Sequence, residues 1–237
     1  MQTPHLAKLL ATFENTLGPS SSIRTGRHFC LMFEKADSHL GDLWHRETTS
    51  LEASEVDLAR WVAKQCHGLA DGMNMIHDYK LQQDSGGSVS EPRHGFHGDI
   101  KAENILLYHQ WAGYEDPLGL LQITDFGISS FHHTASALDI SHRMIGHPYR
   151  PPENQLPIMK TTPSHDIWAL GCLYLEFLTW LVKGPAALGE FLQCRITPDL
   201  PDSPLATQVF FYDVTGKDDH HSVVSISQAV IEVFLSP

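Results

Sequence analysis

The sequence predicts an α+β fold with a mostly helical main body, and three observations carry that prediction. Apolar residues recur at helical spacing over 54–79 and again over 166–182. Two short β-prone runs, 105–108 and 120–124, lie between them and are joined by a loop containing Gly113, Pro117 and Gly119. A continuous apolar run at 29–33 (Phe-Cys-Leu-Met-Phe) suits a buried strand. With 237 residues, 42% hydrophobic and 19% charged, the chain has the means to bury a sizeable core.

The first apolar segment, 6–13, is followed by a stretch rich in Gly, Ser and Pro, 15–28, that reads as loop. Two strands joined by a long loop are expected here. Ser54 reads as the cap of the first helix, with Asp57 three residues on. Leu58, Val62, Cys66, Leu69, Met73 and Ile76 then form one apolar face. Gly68 and Gly72 weaken that helix but let another element approach closely. Residues 81–94 lose all periodicity and read as a surface loop. The runs at 105–108 and 120–124 read as a hairpin. Residues 129–152 read as irregular, ending in Pro148, Pro151 and Pro152. The second helix is apolar nearly all round, which places it in the interior. It is shorter than the roughly 20 apolar residues a bilayer needs, and Glu176 interrupts it. After Lys183 the pattern decays, leaving apolar islands at 210–212 and 230–235.

Sixteen Lys and Arg against 28 Asp and Glu give a net charge of −12, a poor match for nucleic acid or an anionic membrane. Cys30, Cys66, Cys172 and Cys194 form no Cys-x-x-Cys pair. Neither a disulfide framework nor a zinc site is expected, and a reducing compartment fits. The adjacent pairs His132-His133 and His220-His221 read as solvated loop residues. No targeting segment is legible. An intracellular protein, cytoplasmic or nuclear, is the expectation.

The chemistry concentrates around the hairpin. Residues 97–104 (His-Gly-Asp-Ile-Lys-Ala-Glu-Asn) precede it, and Asp125-Phe126-Gly127 follows it. A hairpin returns the chain, so Asp99, Asn104 and Asp125 converge at one end. Two carboxylates, an amide and an ammonium on one small surface suit a magnesium-bound phosphate. Asp125 and Asn104 supply hard oxygen ligands. Lys101 can neutralise a phosphoryl oxygen, and Asp99 can accept a hydroxyl proton.

This set of motifs resembles the catalytic machinery of eukaryotic protein kinases. Residues 97–104 resemble the catalytic loop and Asp125-Phe126-Gly127 the magnesium motif. Residues 149–153 (Tyr-Arg-Pro-Pro-Glu) resemble the end of the activation segment, and 165–172 the start of the central buried helix. Phe33-Glu34-Lys35-Ala36-Asp37 is similar to the hinge, with Phe33 as a bulky gatekeeper behind the adenine pocket. The chain is identified as a member of that superfamily, Ser/Thr type, with a fungal-like style. The resemblance implies a protein-kinase-like fold, mainly the helical C-terminal lobe with a remnant of the β-rich N-terminal lobe. That is a single partial domain over 1–237, with strands of the small lobe in 1–33, the hinge in 34–42 and the large lobe in 43–237, incomplete at its end. It implies Asp99 as the base that orients the substrate hydroxyl and Lys101 on the transferred phosphate. It implies Asn104 and Asp125 as Mg2+ ligands, and backbone groups of Glu34 and Ala36 on adenine. Asp166 would brace the catalytic loop, a role it can combine with capping the second helix. The implied partners are ATP, Mg2+ and a protein Ser or Thr hydroxyl.

The pattern also departs from the family. The sequence contains no Gly-x-Gly-x-x-Gly, and Lys8 is the only lysine before the hinge. Gly98 stands where the family has an Arg that receives an activation-loop phosphate, and His147 where Thr is usual. Arg195, the only Arg after Glu153, comes too early to be that glutamate's late partner. The reading is of a kinase lobe clipped at both ends, which predicts exposed apolar surface and weak or absent transfer by this chain alone. A pseudokinase or scaffold is the alternative. A small-molecule phosphotransferase, whose loop often reads His-Gly-Asp, ranks third, because Lys101, the Asp-Phe-Gly form and residues 149–153 argue against it.

Overall fold

The computed structural model describes residues 3–16, 27–78, 93–126, 130–133, 149, 151, 162–197, 207–208, 211–215 and 222–226. In chain order its elements begin with β1 (Leu9–Thr16), β2 (Arg27–Phe33), β3 (Ser38–His39), α1 (Leu40–Trp44) and α2 (Glu55–His77). Strands β4 (Arg93–Phe96), β5 (Ile105–Tyr108), β6 (Leu120–Ile123) and β7 (Ser130–His133) follow, then α3 (Pro163–Cys194). Four short strands close the series: β8 (Ile196–Thr197), β9 (Thr207–Gln208), β10 (Phe211–Thr215) and β11 (Ser222–Ile226). This is the α+β class that the sequence predicts.

Helix α2 starts where its cap is expected. Ser54 Oγ accepts from the Asp57 N–H at 3.1 Å and donates to the Asp57 carboxylate at 2.6 Å. The predicted apolar face is the buried one: Leu58, Val62, Leu69, Met73 and Ile76 are in the core, joined by Trp61. It meets α3 at Phe177, where the Trp61 ring lies edge-on at 5.9 Å and Trp44 and Trp180 sit at 6.0 and 5.8 Å. Aromatic pairs at such distances add roughly 0.5–1.5 kcal/mol each beyond their burial.

The hairpin forms as predicted, with Ile105 opposite Ile123 and Tyr108 opposite Leu120. β3 pairs with the other edge of β5. Helix α2 grips the hairpin through side chains: Gln65 Oε1 accepts from Leu121 N at 2.9 Å, and Trp61 Nε1 donates to Gly119 O at 2.7 Å. On the other side of β6 runs the segment 3–7. Ile123 N donates to His5 O at 2.8 Å, Ala7 N to Ile123 O at 2.9 Å, and His5 Nδ1 to Leu121 O at 2.8 Å.

The two glycines of α2 admit that segment. A Cβ on Gly68 would stand 2.0 Å from His5 Nε2, and one on Gly72 3.2 Å from Leu6 Cδ2. His5 is buried against β6 and cannot swing aside. Gly68→Ala is therefore expected to destabilise the protein by about 1–3 kcal/mol, although Ala is about 1 kcal/mol the better helix former. Gly171→Ala, on α3 with open space at its Cβ, is the control and should be neutral or stabilising. Urea midpoints of the two variants decide the matter.

Several expectations are corrected. The run 29–33 is a strand but not a buried one: Phe29 is 74% and Leu31 60% exposed, with Met32 and Phe33 partly so. Among the described strands only β1 pairs with it. Leu9, Leu10 and Phe13 of β1 are exposed too. The expected loop 81–94 ends in strand β4, and the irregular stretch 129–152 begins with β7. The two pair antiparallel, Arg93 with His133 and Phe96 with Ser130, so His132 and His133 are strand residues rather than loop residues. Helix α3 is longer than expected, starting at Pro163 behind Thr162, whose N–H donates to His165 Nδ1 at 3.1 Å. Asp166 is thus inside the first turn and not the cap.

The end of the second helix is corrected as well. Gly184 breaks α3 with φ 81°, and Pro185 restarts a helical stretch that runs to Cys194. By length and composition α3 is apolar enough to cross a membrane. It is the core helix of this fold, with His165, Asp166 and Glu176 buried along it, while Ile167, Leu178 and Val182 are exposed. The tail islands coincide in part with β10; Phe210, residues 230–235 and His220-His221 lie outside the described residues.

Candidate functional site

The segment 97–104 is shaped from below by one carboxylate. Asp166, 1% exposed, reaches up from the first turn of α3. Its Oδ2 accepts from His97 N at 2.7 Å and its Oδ1 from Gly98 N at 2.8 Å. His77, at the end of α2, meets Oδ2 through Nε2 at 3.0 Å. Gly98 has φ 84°, a left-handed conformation that glycine adopts without strain. One buried side chain therefore ties both long helices to the loop. Sequence reasoning missed His77; the available signal was a histidine one residue past the apolar stripe, at Ile76.

His97 is held as a neutral imidazole. Its Nε2–H donates to Thr124 O at 2.9 Å, and its bare Nδ1 accepts from Asp99 N at 3.2 Å. Its ring lies edge-on to Phe126 at 5.3 Å. Burial pushes its pKa down, against the opposing charges of Asp166, Asp99 and Asp125. A group whose folded pKa lies below its unfolded value takes up its proton first in the unfolded chain. The stability it contributes is present above pH 6.5 and is lost as pH falls, by at most about 1.4 kcal/mol per pH unit. Wild type is expected to lose more stability than His97→Gln between pH 7.5 and 5.5 in paired urea titrations; parallel losses would refute this.

Above that platform the predicted residues come together. Asn104 Nδ2 donates to Asp99 O and to Asp99 Oδ2, both at 2.8 Å, and Lys101 Nζ stands 2.9 Å from Asp99 Oδ2. The backbone closes the same ring, with Asn104 N on Lys101 O at 2.9 Å and Thr124 N on Asn104 O at 3.0 Å. Thr124 is thereby bonded to both His97 and Asn104, and Asp125 is the next residue, exposed and at φ 62°. Gly127 lies outside the described residues.

Glu34 follows β2 directly and Ala36 lies two residues further on; Phe33 is the last residue of β2, 37% exposed. Asp37 N donates to Leu107 O at 3.0 Å, and Asp37 Oδ2 accepts from His109 N at 2.7 Å. Tyr108, also missed, donates its hydroxyl to Glu34 O at 3.2 Å.

Beside the segment 97–104, a cavity of about 230 Å³ is lined by His45, Ala102, Glu103, Tyr149 and Glu176. Tyr149 donates its hydroxyl to Glu176, and Arg195 donates to the other oxygen of the same carboxylate. Burial raises the Glu176 carboxyl to about 7, although Arg195 and the Tyr149 bond pull it down. Glu153 and Arg150 lie outside the described residues, as do residues 134, 136, 141 and 147.

Comparison with known proteins decides the family. Residues 1–184 match the protein kinase domain family. The chain belongs to that family. The match ends at Gly184, where α3 breaks. Cyclin-dependent kinase C-1 of Oryza sativa subsp. japonica is 30% identical over 122 residues, 49% of this chain and 22% of that protein. CTD kinase subunit alpha of Saccharomyces cerevisiae is 31% identical over 146 residues, 62% of this chain and 22% of that protein. Serine/threonine kinase NLK of Caenorhabditis briggsae is 28% identical over 124 residues, 52% of this chain and 17% of that protein. The chain spans about a fifth of the length of these protein kinase relatives. The family generally uses ATP and Mg2+.

Proposed function

We propose that this protein is a protein Ser/Thr kinase, moving the γ-phosphate of ATP to a Ser or Thr hydroxyl of a protein. The direct contact of Asp99, Lys101 and Asn104 on a loop braced by Asp166 carries this reading. Asp99 would orient the acceptor hydroxyl and take its proton, and Lys101 would meet the phosphate in flight. Backbone groups of Glu34 and Ala36 would hold adenine in front of Phe33. The cavity beside Glu103 and Tyr149 supports a peptide substrate. A Lys at position 101 and the Ser/Thr kinase among the relatives support the choice of hydroxyl.

The donor set fits Mg2+. Asn104 commits its amide nitrogen to Asp99, which turns its oxygen over to a cation, and Asp125 adds an exposed carboxylate. Among the described residues no group of three or more His, Cys, Asp or Glu could hold a metal by itself. One carboxylate and one amide suffice where phosphates and waters complete the Mg2+ shell. Bound there, Mg2+ would neutralise charge between the phosphates.

The layout follows the same reading: 1–33 as small-lobe strands, 34–42 as hinge and 43–237 as large lobe. The net charge argues against nucleic acid or an anionic membrane as partner. The four cysteines are free thiols, which supports an intracellular setting, cytoplasmic or nuclear. Calorimetric titration with Mg-ATP, followed by transfer of labelled γ-phosphate to a general Ser/Thr substrate, tests the function. Saturable binding with weak transfer, lowered further by Asp99→Asn, is the expected result, and no binding of Mg-ATP would overturn it. The exposed apolar ribbon β1–β2 favours a second reading, a scaffold, which binding without transfer would select. The small-molecule reading gains nothing from a family match to protein kinases.

A further inference from the structure

We propose that Tyr108 sets base selectivity at the hinge, weakening the site's preference for a 6-amino purine over a 6-oxo purine. The inference rests on the reading of Glu34 and Ala36 as the base-binding backbone.

Tyr108 closes strand β5 and is almost wholly buried. Its ring packs edge-on against Trp111 at 4.9 Å, and its hydroxyl donates to the Glu34 carbonyl at 3.2 Å. The hinge is tied down beside this contact by Asp37, whose N–H reaches Leu107 O and whose carboxylate takes the His109 N–H. Burial, with the Glu34 and Asp37 carboxylates nearby, raises the phenol's pKa, so the proton stays on the oxygen.

The Glu34 carbonyl is the acceptor that a 6-amino group on the base would use. Here it already accepts one hydrogen bond. A carbonyl has two lone pairs, so the amino group shares the oxygen with Tyr108 or displaces it. Displacement leaves a buried hydroxyl in need of a new partner. Either way the amino group gains less than it would from a carbonyl held for it alone. A 6-oxo base has the opposite problem, because it brings an acceptor towards an acceptor. The Tyr108 hydroxyl is the donor beside that point, and its hydrogen rotates to suit the partner. Both effects narrow the gap between the two base classes.

The test compares two probes that differ only at the 6 position, Mg-ATP and Mg-inosine triphosphate. Calorimetry gives the ratio of their dissociation constants in wild type and in Tyr108→Phe, which keeps the ring on Trp111. The ratio cancels any change common to both nucleotides, such as a looser hinge. In Tyr108→Phe the preference for ATP is expected to rise at least about fivefold, the worth of one ordinary hydrogen bond. A ratio unchanged within about twofold, with both nucleotides bound, overturns the proposal and leaves the base site standing. Failure of wild type to bind either nucleotide overturns the base-site reading and this proposal together.

A measurement on wild type alone covers the case in which the variant does not fold. Purine riboside triphosphate lacks any 6-substituent. ATP is expected to bind no more than about threefold more tightly than this analogue. A gain above about 30-fold would mean that the Glu34 carbonyl is fully open to the base, and would overturn the proposal.

Discussion

Asp166→Ala is expected to cost about 3–5 kcal/mol of folding stability, the usual loss when a buried charged cluster is broken by removing one member. The carboxylate is almost completely buried, and its two oxygens serve three donors: His97 N, Gly98 N and His77. Alanine leaves two buried N–H groups without an acceptor, each worth about 1–3 kcal/mol of lost solvation. Asp166→Asn would do little better, because the amide offers one oxygen where two are used and turns an NH2 towards an N–H. Guanidinium denaturation reads the loss, and hydrogen exchange at the amides of residues 97 and 98 should speed up with it. The consequence reaches the chemistry, since the same two amides fix the loop that presents Asp99. A loss below about 1 kcal/mol would mean that the loop holds its shape without the brace.

How much of this was legible in the sequence depends on where the stabilising contacts lie. Helix α2 and the β5–β6 hairpin follow local rules, a cap at Ser54, an apolar stripe and a turn rich in glycine, and both form within a residue or two of expectation. Gly68 and Gly72 announced a close neighbour without naming it; the neighbour is the segment around His5. Strands β4 and β7 were illegible because they contain Arg, His, Gly and Ser, and exist by pairing with each other across intervening chain. The apolar run 29–33 misled on burial, since composition describes what a strand can bury and not what covers it. The decay of the apolar pattern after Lys183 marked the break at Gly184 but not the helical stretch beyond it, which Pro185 suits as a first-turn residue. At the site, the contact of Asp99 with Lys101 and Asn104 was readable from spacing. His77 and Tyr108 were not, because each acts on a residue distant in sequence, Asp166 and Glu34 respectively.

Asp99→Asn should lower phosphate transfer by about 10²- to 10⁴-fold, the range attributable to a positioned general base. The substitution keeps the shape of the side chain. Its oxygen can still accept from Asn104, and the lost ion pair with Lys101 is partly exposed, worth about 0–1 kcal/mol. Stability should therefore hardly move. The effect belongs in kcat, with the Mg-ATP dissociation constant nearly unchanged, because the proposed role of Asp99 is toward the acceptor hydroxyl rather than the nucleotide. Asp125→Asn should separate from it by weakening Mg-ATP binding, since that side chain is assigned to the cation. Single-turnover transfer with both variants, alongside calorimetry, checks the split. If Asp99→Asn transfers within about tenfold of wild type, Asp99 is not the base, and the Asp99, Lys101 and Asn104 cluster is a structural clasp closing the loop above Asp166.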